Sequence, residues 1–218
     1  VTRMPIWVDP ECDKVTIDGR RVGAKPTRSK RYIMVNKPRG VISTTSDPKG
    51  RPKVTDLVPH SERLFCVGRL DAESNGLVLL TNDGKLAQRL MHPRYEVPKT
   101  YRVTIKGRLD EQAVSKLTEG IWLADKGGKT ARAHAAQVKL ISRDRDRSRL
   151  QITLTEGRNR EIRRMLVRLG HPVKRLKRTA IGPVALKGVA SGHWRELTRA
   201  EVAALRKAAG AADKSPRG

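Results

Sequence analysis

One carboxylate stands out by its setting. Asp71 lies in Val67–Gly84, which reads V-G-R-L-D-A-E-S-N-G-L-V-L-L-T-N-D-G. Gly68 and Gly76 frame it, an apolar run Leu77-Val78-Leu79-Leu80 follows at once, and Asn82-Asp83-Gly84 closes the unit as a turn. Glycines admit backbone angles and close approaches that other residues resist. A rigid apolar strand beside a glycine-framed acid is a good way to hold a reactive group in a fixed place. The same spacing suits a structural aspartate in a loop before a core strand, and spacing alone leaves the two readings even. Glu73 and Asp83 read as structural.

Two other segments carry chemistry. Lys99–Lys106 alternates, with Tyr101, Val103 and Ile105 on one face and Thr100, Arg102, Thr104 and Lys106 on the other. Tyr101 therefore points to the apolar side, where an ordinary core aromatic is the plainer reading. Glu156–Met165, E-G-R-N-R-E-I-R-R-M, leads into a helix from about Arg160 to Leu169, closed by Gly170. Ile162, Met165, Leu166 and Leu169 form its apolar stripe, with Arg160, Arg164 and Arg168 opposite. Arg163 falls about a hundred degrees from Ile162, at the edge of the stripe, from which it can reach a cleft. Arg158, Arg160, Arg163, Arg164, Arg168, Lys174, Arg175, Lys177 and Arg178 crowd this segment, with Glu161 the one acid among them. A bound anion would relieve that self-repulsion.

The elements that must position these groups follow from periodicity and turn residues. Short strands are expected at Lys14–Ile17 and Arg20–Val22 around Asp18-Gly19, then at Tyr32–Lys37 and Phe65–Val67. Val41–Thr45 reads as extended, Ser46–Pro52 as a flexible polar loop, and Val54–Pro59 as one helical turn. Asn82 or Asp83 caps a helix running to about Met91, and Asp110 caps another to Glu119, stopped by Gly120. Ile121–Ala124 and Arg132–Ile141 read as strands, the second with His134, Ala136, Val138 and Leu140 on one face. Leu150, Ile152 and Leu154 mark another. Val173–Ile181 and Val184–Leu186 are extended, and Thr198 with Glu201 forms a capping box for a last helix. Many strands, several paired antiparallel, with a few helices between them, give an α+β domain.

Composition narrows the function classes. Lys and Arg number 47 against 22 acids, a net charge of +25, which points to a polyanion, with nucleic acid the first candidate. Aromatics are only 3%, so stacking base after base is excluded while one or two aromatics serving a single base are not. No apolar run approaches the ~20 residues of a membrane span. Cys12 and Cys66 make neither a disulfide framework nor a metal-ligand pattern, which fits a reducing cytoplasm. The glycines from Gly68 to Gly76 match neither a dinucleotide nor a P-loop fingerprint.

The pattern G-R-L-D-x-x-[ST]-x-G-L-x-x-L-T-N-D-G resembles the active-site motif of the RsuA-type ribosomal RNA pseudouridine synthases. Three further blocks agree in order and distance: Asn36-Lys37-Pro38-Arg39-Gly40, Lys99-Thr100-Tyr101-Arg102-Val103, and Glu156–Met165. The resemblance runs from about Tyr32 to Leu205. It implies a mixed, mostly antiparallel central sheet with flanking helices and an active cleft across it. It also implies a domain plan: residues 1–24 similar to the end of the small RNA-binding domain of ribosomal small-subunit protein four, a linker at 25–31, a catalytic domain at 32–209 and a disordered tail at 210–218.

The activity implied is isomerisation of a uridine within ribosomal RNA to pseudouridine, without cofactor or metal. Asp71 matches the acid at the ribose, Arg163 the basic partner that keeps it charged in a dry pocket, and Tyr101 the face on which the flipped base lies. Lys37 and Arg69 are candidates to hold phosphate or the flipped nucleotide, with Lys99, Arg158, Asn159, Arg160 and Arg164 as weaker ones. Ser74 replaces the family's usual threonine, and Glu161 stands where glutamine is frequent. Trp194-Arg195-Glu196-Leu197 and the block around Asn159 look closer to large-subunit modifiers. A monomer is expected. A non-catalytic RNA-binding protein on the same fold is the alternative.

Overall fold

A computed structural model describes residues 14, 16–21, 29–59, 63–124, 128 and 130–211. Two units are present, Val1–Lys30 and Arg31–Gly218. In the first, β1 (Thr16–Ile17) pairs antiparallel with β2 (Arg20–Arg21). Asp18 and Gly19 between them both have positive φ, 49° and 73°, as a tight hairpin turn requires. Cys12, and the expected linker apart from its last residues, lie outside the described residues.

The second unit carries, in chain order, β3 (Tyr32–Lys37), β4 (Phe65–Val67), β5 (Asn75–Thr81), α1 (Gly84–Met91), β6 (Lys99–Lys106), α2 (Glu111–Glu119), β7 (Ile121–Ala124), β8 (Thr130–Ala133) and β9 (Gln137–Arg143). β10 (Arg147–Leu154), α3 (Glu161–Arg168), β11 (Val173–Ile181), β12 (Val184–Ala185), β13 (Trp194–Glu196) and α4 (Arg199–Ala211) follow. A nine-stranded mixed sheet runs β13-β3-β5-β11-β6-β10-β9, with β12 added on β11 and β4 on β5; β7 and β8 form a separate hairpin. Every pairing of the large sheet is antiparallel except β11 with β5, which are parallel for two residues, Lys177↔Asn75 and Arg178↔Gly76. Farther along, β4 takes that edge of β5 through Phe65↔Thr81, Cys66↔Leu80 and Val67↔Leu79.

β5 reads as a continuous apolar run because both its faces are covered. Val78 and Leu80 enter one core cluster with Tyr101, Val103, Ile105, Leu150, Ile152 and the α3 stripe. Leu77 and Leu79 enter a second with Met34, the α1 residues Leu86 and Leu90, and Leu205 of α4. Asp83 caps α1 by accepting from Leu86 N at 3.2 Å, and Asp110 caps α2 through Ala113 N at 2.6 Å. The capping box of α4 forms in both directions, Thr198 N to Glu201 Oε2 at 2.8 Å and Glu201 N to Thr198 Oγ1 at 3.2 Å.

Three expectations differ. The strand expected at 132–141 is two strands: Ala135 N bonds Leu117 O at 2.8 Å, drawing the chain onto the end of α2. Ala133 and Ala135 therefore face inward, and His134 is exposed. Val41–Thr45 forms a single bridge, Ile42 to Lys53, rather than a strand. The expected tail begins too early, since α4 continues to Ala211 with Ala209 fully buried; residues 212–218 lie outside the described ones.

Gly76 is where β5 and β11 touch. Its φ is +109°, and a Cβ there would lie 2.2 Å from Arg178 O and 2.8 Å from Arg178 N. Positive-φ strain and a backbone clash add, so Gly76→Ala is expected to lower unfolding stability by about 3 kcal/mol or more. Gly84→Ala, with nothing within 4 Å of its Cβ, is the control and should leave stability equal or slightly raised. Urea titrations of both variants read the difference.

Candidate active site

Three segments distant in sequence meet at the start of β5. The first is the turn before it. Ser74 N bonds Asp71 O at 3.0 Å, and Gly40 N ties the turn to the 38–41 bend through Ala72 O at 2.8 Å. Ser43 clasps the next residue back, its hydroxyl lying 3.2 Å from both Leu70 N and Leu70 O. Arg39 bridges the turn to the start of β11, donating to Glu73 O at 3.0 Å and Lys174 O at 2.9 Å. Asp71 is thus fixed at its backbone and left with a side chain 28% exposed.

The second segment is α3. Arg160 precedes it with φ 50°. Glu161 is buried, accepts from Arg158 N at 2.9 Å, and has its carboxyl pushed up by burial. Ile162, Met165 and Leu166 anchor the helix in the core, and this rotation buries Arg163 to 7% exposure. Its guanidinium meets the Asp71 turn. Nη2 donates to Ser74 Oγ at 3.1 Å, and Nε lies 3.6 Å from Asp71 Oδ2 and 3.5 Å from Glu73 Oε1. Arg160 Nη1 lies 3.5 Å from Asp71 Oδ2 and pairs with Glu73. The Arg160 bond holds the Glu73 carboxyl below its usual range. Burial weakens Arg163's hold on its proton, and Glu73 and Asp71 oppose that.

The third segment is the inner face of β6. Tyr101, 8% exposed, stands opposite Ile152 on β10 and Arg178 on β11. Lys99 shares that face, donates to Thr155 O at 3.5 Å, and is lowered to about 8 by burial, with Arg178 reinforcing the shift.

A cleft of about 1250 Å³ opens between these segments, walled by Asp71 on one side, Lys99 and Tyr101 on another, and Gly157–Glu161 on a third. The loop around Asp47 closes the fourth side. That loop carries one internal clasp. Asp47 accepts from Arg51 N at 2.9 Å and from the Arg51 guanidinium at 2.7 and 3.1 Å, which holds its carboxyl at about 2.

Of the residues singled out in the sequence, Asp71, Tyr101, Arg69, Lys99, Arg158, Asn159 and Arg160 line the cleft. Arg163 touches Asp71 from within the protein rather than from the cleft wall. Two candidates lie elsewhere. Lys37 is 0% exposed, because β3 is buried on both faces, and its ammonium donates to Pro38 O at 2.9 Å and Val41 O at 2.6 Å. It shapes the bend under Asp71 instead of meeting RNA, and burial lowers it to about 8. Arg164 points to the β7 hairpin and donates to Ala124 O. Ser43 and Arg178 were not read as site residues. The signal for Arg178 was available: it stands two residues after inward-facing Leu176 in a strand, an arginine on an apolar face.

A carboxylate paired to two guanidinium groups, on the wall of a cleft roomy enough for a nucleoside that also holds a phenol, suits chemistry at a sugar. Among the described residues no three His, Cys, Asp or Glu side chains form a metal-binding group, and no helix is long and apolar enough to cross a membrane.

Comparison with known proteins gives the family. Residues 31–167 match the family model described as RNA pseudouridylate synthase. The chain is 41% identical over 212 residues to an RNA pseudouridine synthase of Aquifex aeolicus (strain VF5), covering 96% of this chain and 82% of that protein. It is 44% identical over 197 residues to the ribosomal large subunit pseudouridine synthase B of Bacillus subtilis (strain 168), covering 89% and 78%. A crystal structure of a pseudouridylate synthase superposes with a TM-score of 0.71 at 28% identity, over 92% of this chain and 83% of that one. Motifs, mixed sheet and cleft converge with these likenesses: the chain belongs to the RNA pseudouridylate synthase family.

Proposed function

We propose that this protein isomerises a specific uridine of ribosomal RNA to pseudouridine, with large-subunit RNA as the substrate, and does so as a cytoplasmic monomer. The observation that carries the reading is the contact of Arg163 and Arg160 with Asp71 on the wall of the cleft that contains Tyr101. The names of similar proteins supply the ribosomal substrate and its large-subunit origin.

The chemistry is internally balanced. The bond from ribose C1′ to uracil N1 breaks, the base turns in the cleft, and C1′ joins C5. C5 loses its proton and N1 gains one, so nothing is oxidised and no group is added. Asp71 is the carboxylate at the ribose, and Arg163 and Arg160 keep its negative charge favourable in a partly desolvated wall. Tyr101 gives the flipped base a face to lie on. Arg69, Arg158, Asn159 and Arg160 at the cleft edge meet the RNA backbone, where many such charges act jointly. Binding weakens steeply as salt rises, because each phosphate neutralised releases counterions.

Asp71→Asn is expected to keep RNA affinity within about threefold and to abolish pseudouridine formation, read by chemical mapping of the modified position in a large-subunit RNA transcript. Unchanged turnover would remove Asp71 from the reaction. Arg163→Ala is expected to lower single-turnover rate by about 10²-fold or more, with a smaller loss of affinity; collapse of binding at an unchanged rate would make Arg163 a phosphate contact.

The lowered lysine adds a pH dependence. Lys99 is cationic below about 8 and neutral above it, so RNA affinity at constant ionic strength is expected to fall as pH rises from 7 to 9. Lys99→Arg should hold its affinity to higher pH, since guanidinium stays charged. Coincident profiles for the two proteins would show that Lys99 does not face RNA.

A further inference from the structure

Arg178 is a buried cation that the chemistry above leaves without a task. It is 3% exposed, yet it lines the cleft. It stands opposite Tyr101 in the β11–β6 pairing and opposite Gly76 in the β11–β5 pairing. Directly opposed residues of an antiparallel pair share a face, so its side chain rises beside the phenol. Nε is anchored to Leu77 O at 2.7 Å. Nη1 lies under the Asp71 segment, 3.8 Å from where a Cβ on Gly68 would sit. Nη2 is buried without a hydrogen-bond partner.

Such a group is costly. An interior guanidinium normally has a carboxylate beside it, and among the described residues no ion pair joins Arg178 to one. Two more cations, Lys37 and Lys99, feel its charge. The arrangement has a surplus of positive charge at depth, and a donor left without a partner on an anchored guanidinium. It suits a ligand that brings acceptors and, during reaction, negative charge.

We infer that Arg178 reads the uracil ring: a terminal N–H donates to a carbonyl oxygen of the flipped base and holds the negative charge the ring takes up as the glycosidic bond breaks. The inference rests on the reading of this cleft as the uridine site. Depth favours the base over a phosphate. With ribose at Asp71, the base is the part of the nucleotide that goes inward beside Tyr101, while phosphates stay at the rim near exposed Arg69 and Arg160. When C1′–N1 breaks, its electron pair stays with the ring and spreads over N1 and the carbonyl oxygens. A guanidinium bond to one of those oxygens is then stronger than in the ground state, which is the condition for acceleration. It also discriminates. Where that oxygen is O4, cytosine presents an amino donor in place of the carbonyl, and a donor facing a donor is rejected.

The test uses the full chain and a large-subunit RNA transcript carrying the target uridine, with Arg178→Met, Arg178→Lys and Arg178→Ala. Single-turnover pseudouridine formation should fall by about 10²-fold or more in the Met and Ala variants, with RNA affinity within about threefold of wild type. Arg178→Lys should regain part of the rate. Guanidinium ion at millimolar concentration should restore part of the rate to Arg178→Ala, and sodium at equal ionic strength should not. Three results would overturn the inference. A rate within threefold of wild type in both variants gives Arg178 no part in the reaction. Loss of salt-sensitive affinity at an unchanged rate makes it a phosphate contact. A lost rate with no rescue by guanidinium or by lysine makes it a brace between β5 and β11. Asp71→Asn run alongside separates the two levels: an active Asp71→Asn sinks the uridine site itself, whereas an inactive one with active Arg178 variants sinks only this assignment.

Discussion

The structure turns on a guanidinium buried between two segments that are some ninety residues apart. Arg163 projects from α3 into the turn that holds Asp71, Glu73 and Ser74. Two arginines approach this turn from α3 and the residue before it, and Arg39 crosses it from the 38–41 bend. Without acids there, these cations would repel one another in a medium where unit charges 4 Å apart interact by about 4 kcal/mol at an effective dielectric of ~20. Asp71 and Glu73 therefore offset those cations and tie α3 to the turn. The ion pairs that close α3 onto β5 are the same contacts that orient the carboxylate toward the cleft.

The cleft itself follows from how the sheet splits. β11 and β5 run parallel for two residues and then separate, and β4 takes over the vacated edge of β5. Gly76 permits the close touch at the point of separation. The loop from β4 into β5 crosses the fork, which puts Asp71 at the opening and Tyr101 and Arg178 on the adjoining face. A fully paired sheet would have left no such opening. The candidate site residues accordingly sit on the turn before β5, within β6 and β11 and in the first turn of α3, where neighbours fix the backbone.

What the sequence made legible was whatever depends on local period. Tyr101, Val103 and Ile105 alternate, and all three are buried; the α3 stripe and the caps at Asp83, Asp110 and Thr198 are equally local signals. The edge position of Arg163 followed from the helix repeat alone. Lys37 was misjudged because its fate depends on long-range covering: β3 lies between β13 and β5, so even a lysine in it is enclosed. His134 was placed on the wrong face because one hydrogen bond from Ala135 to the end of α2 breaks the alternation. Arg178 was lost among nine basic residues because a count of charge does not distinguish a solvated cation from an enclosed one.

That distinction organises the net charge of +25. Exposed cations such as Arg69 act at a distance and are screened within about 10 Å at ~0.1 M salt. Enclosed cations act on one atom each, and salt reaches them poorly. Lys37 holds a bend, Arg163 holds a carboxylate, and Arg178 lines the cleft with a buried donor that has no partner. The two sets have opposite costs: rim charges destabilise the fold only through mutual repulsion, whereas each enclosed one carries a desolvation penalty that must be offset where it sits. For Lys37 the offset is two carbonyls, and for Arg163 it is two acids and a serine hydroxyl. For Arg178 a single carbonyl covers one of its three nitrogens. The least compensated interior charge of the three therefore lies beside the phenol, at the place where a uracil leaving group would become an anion.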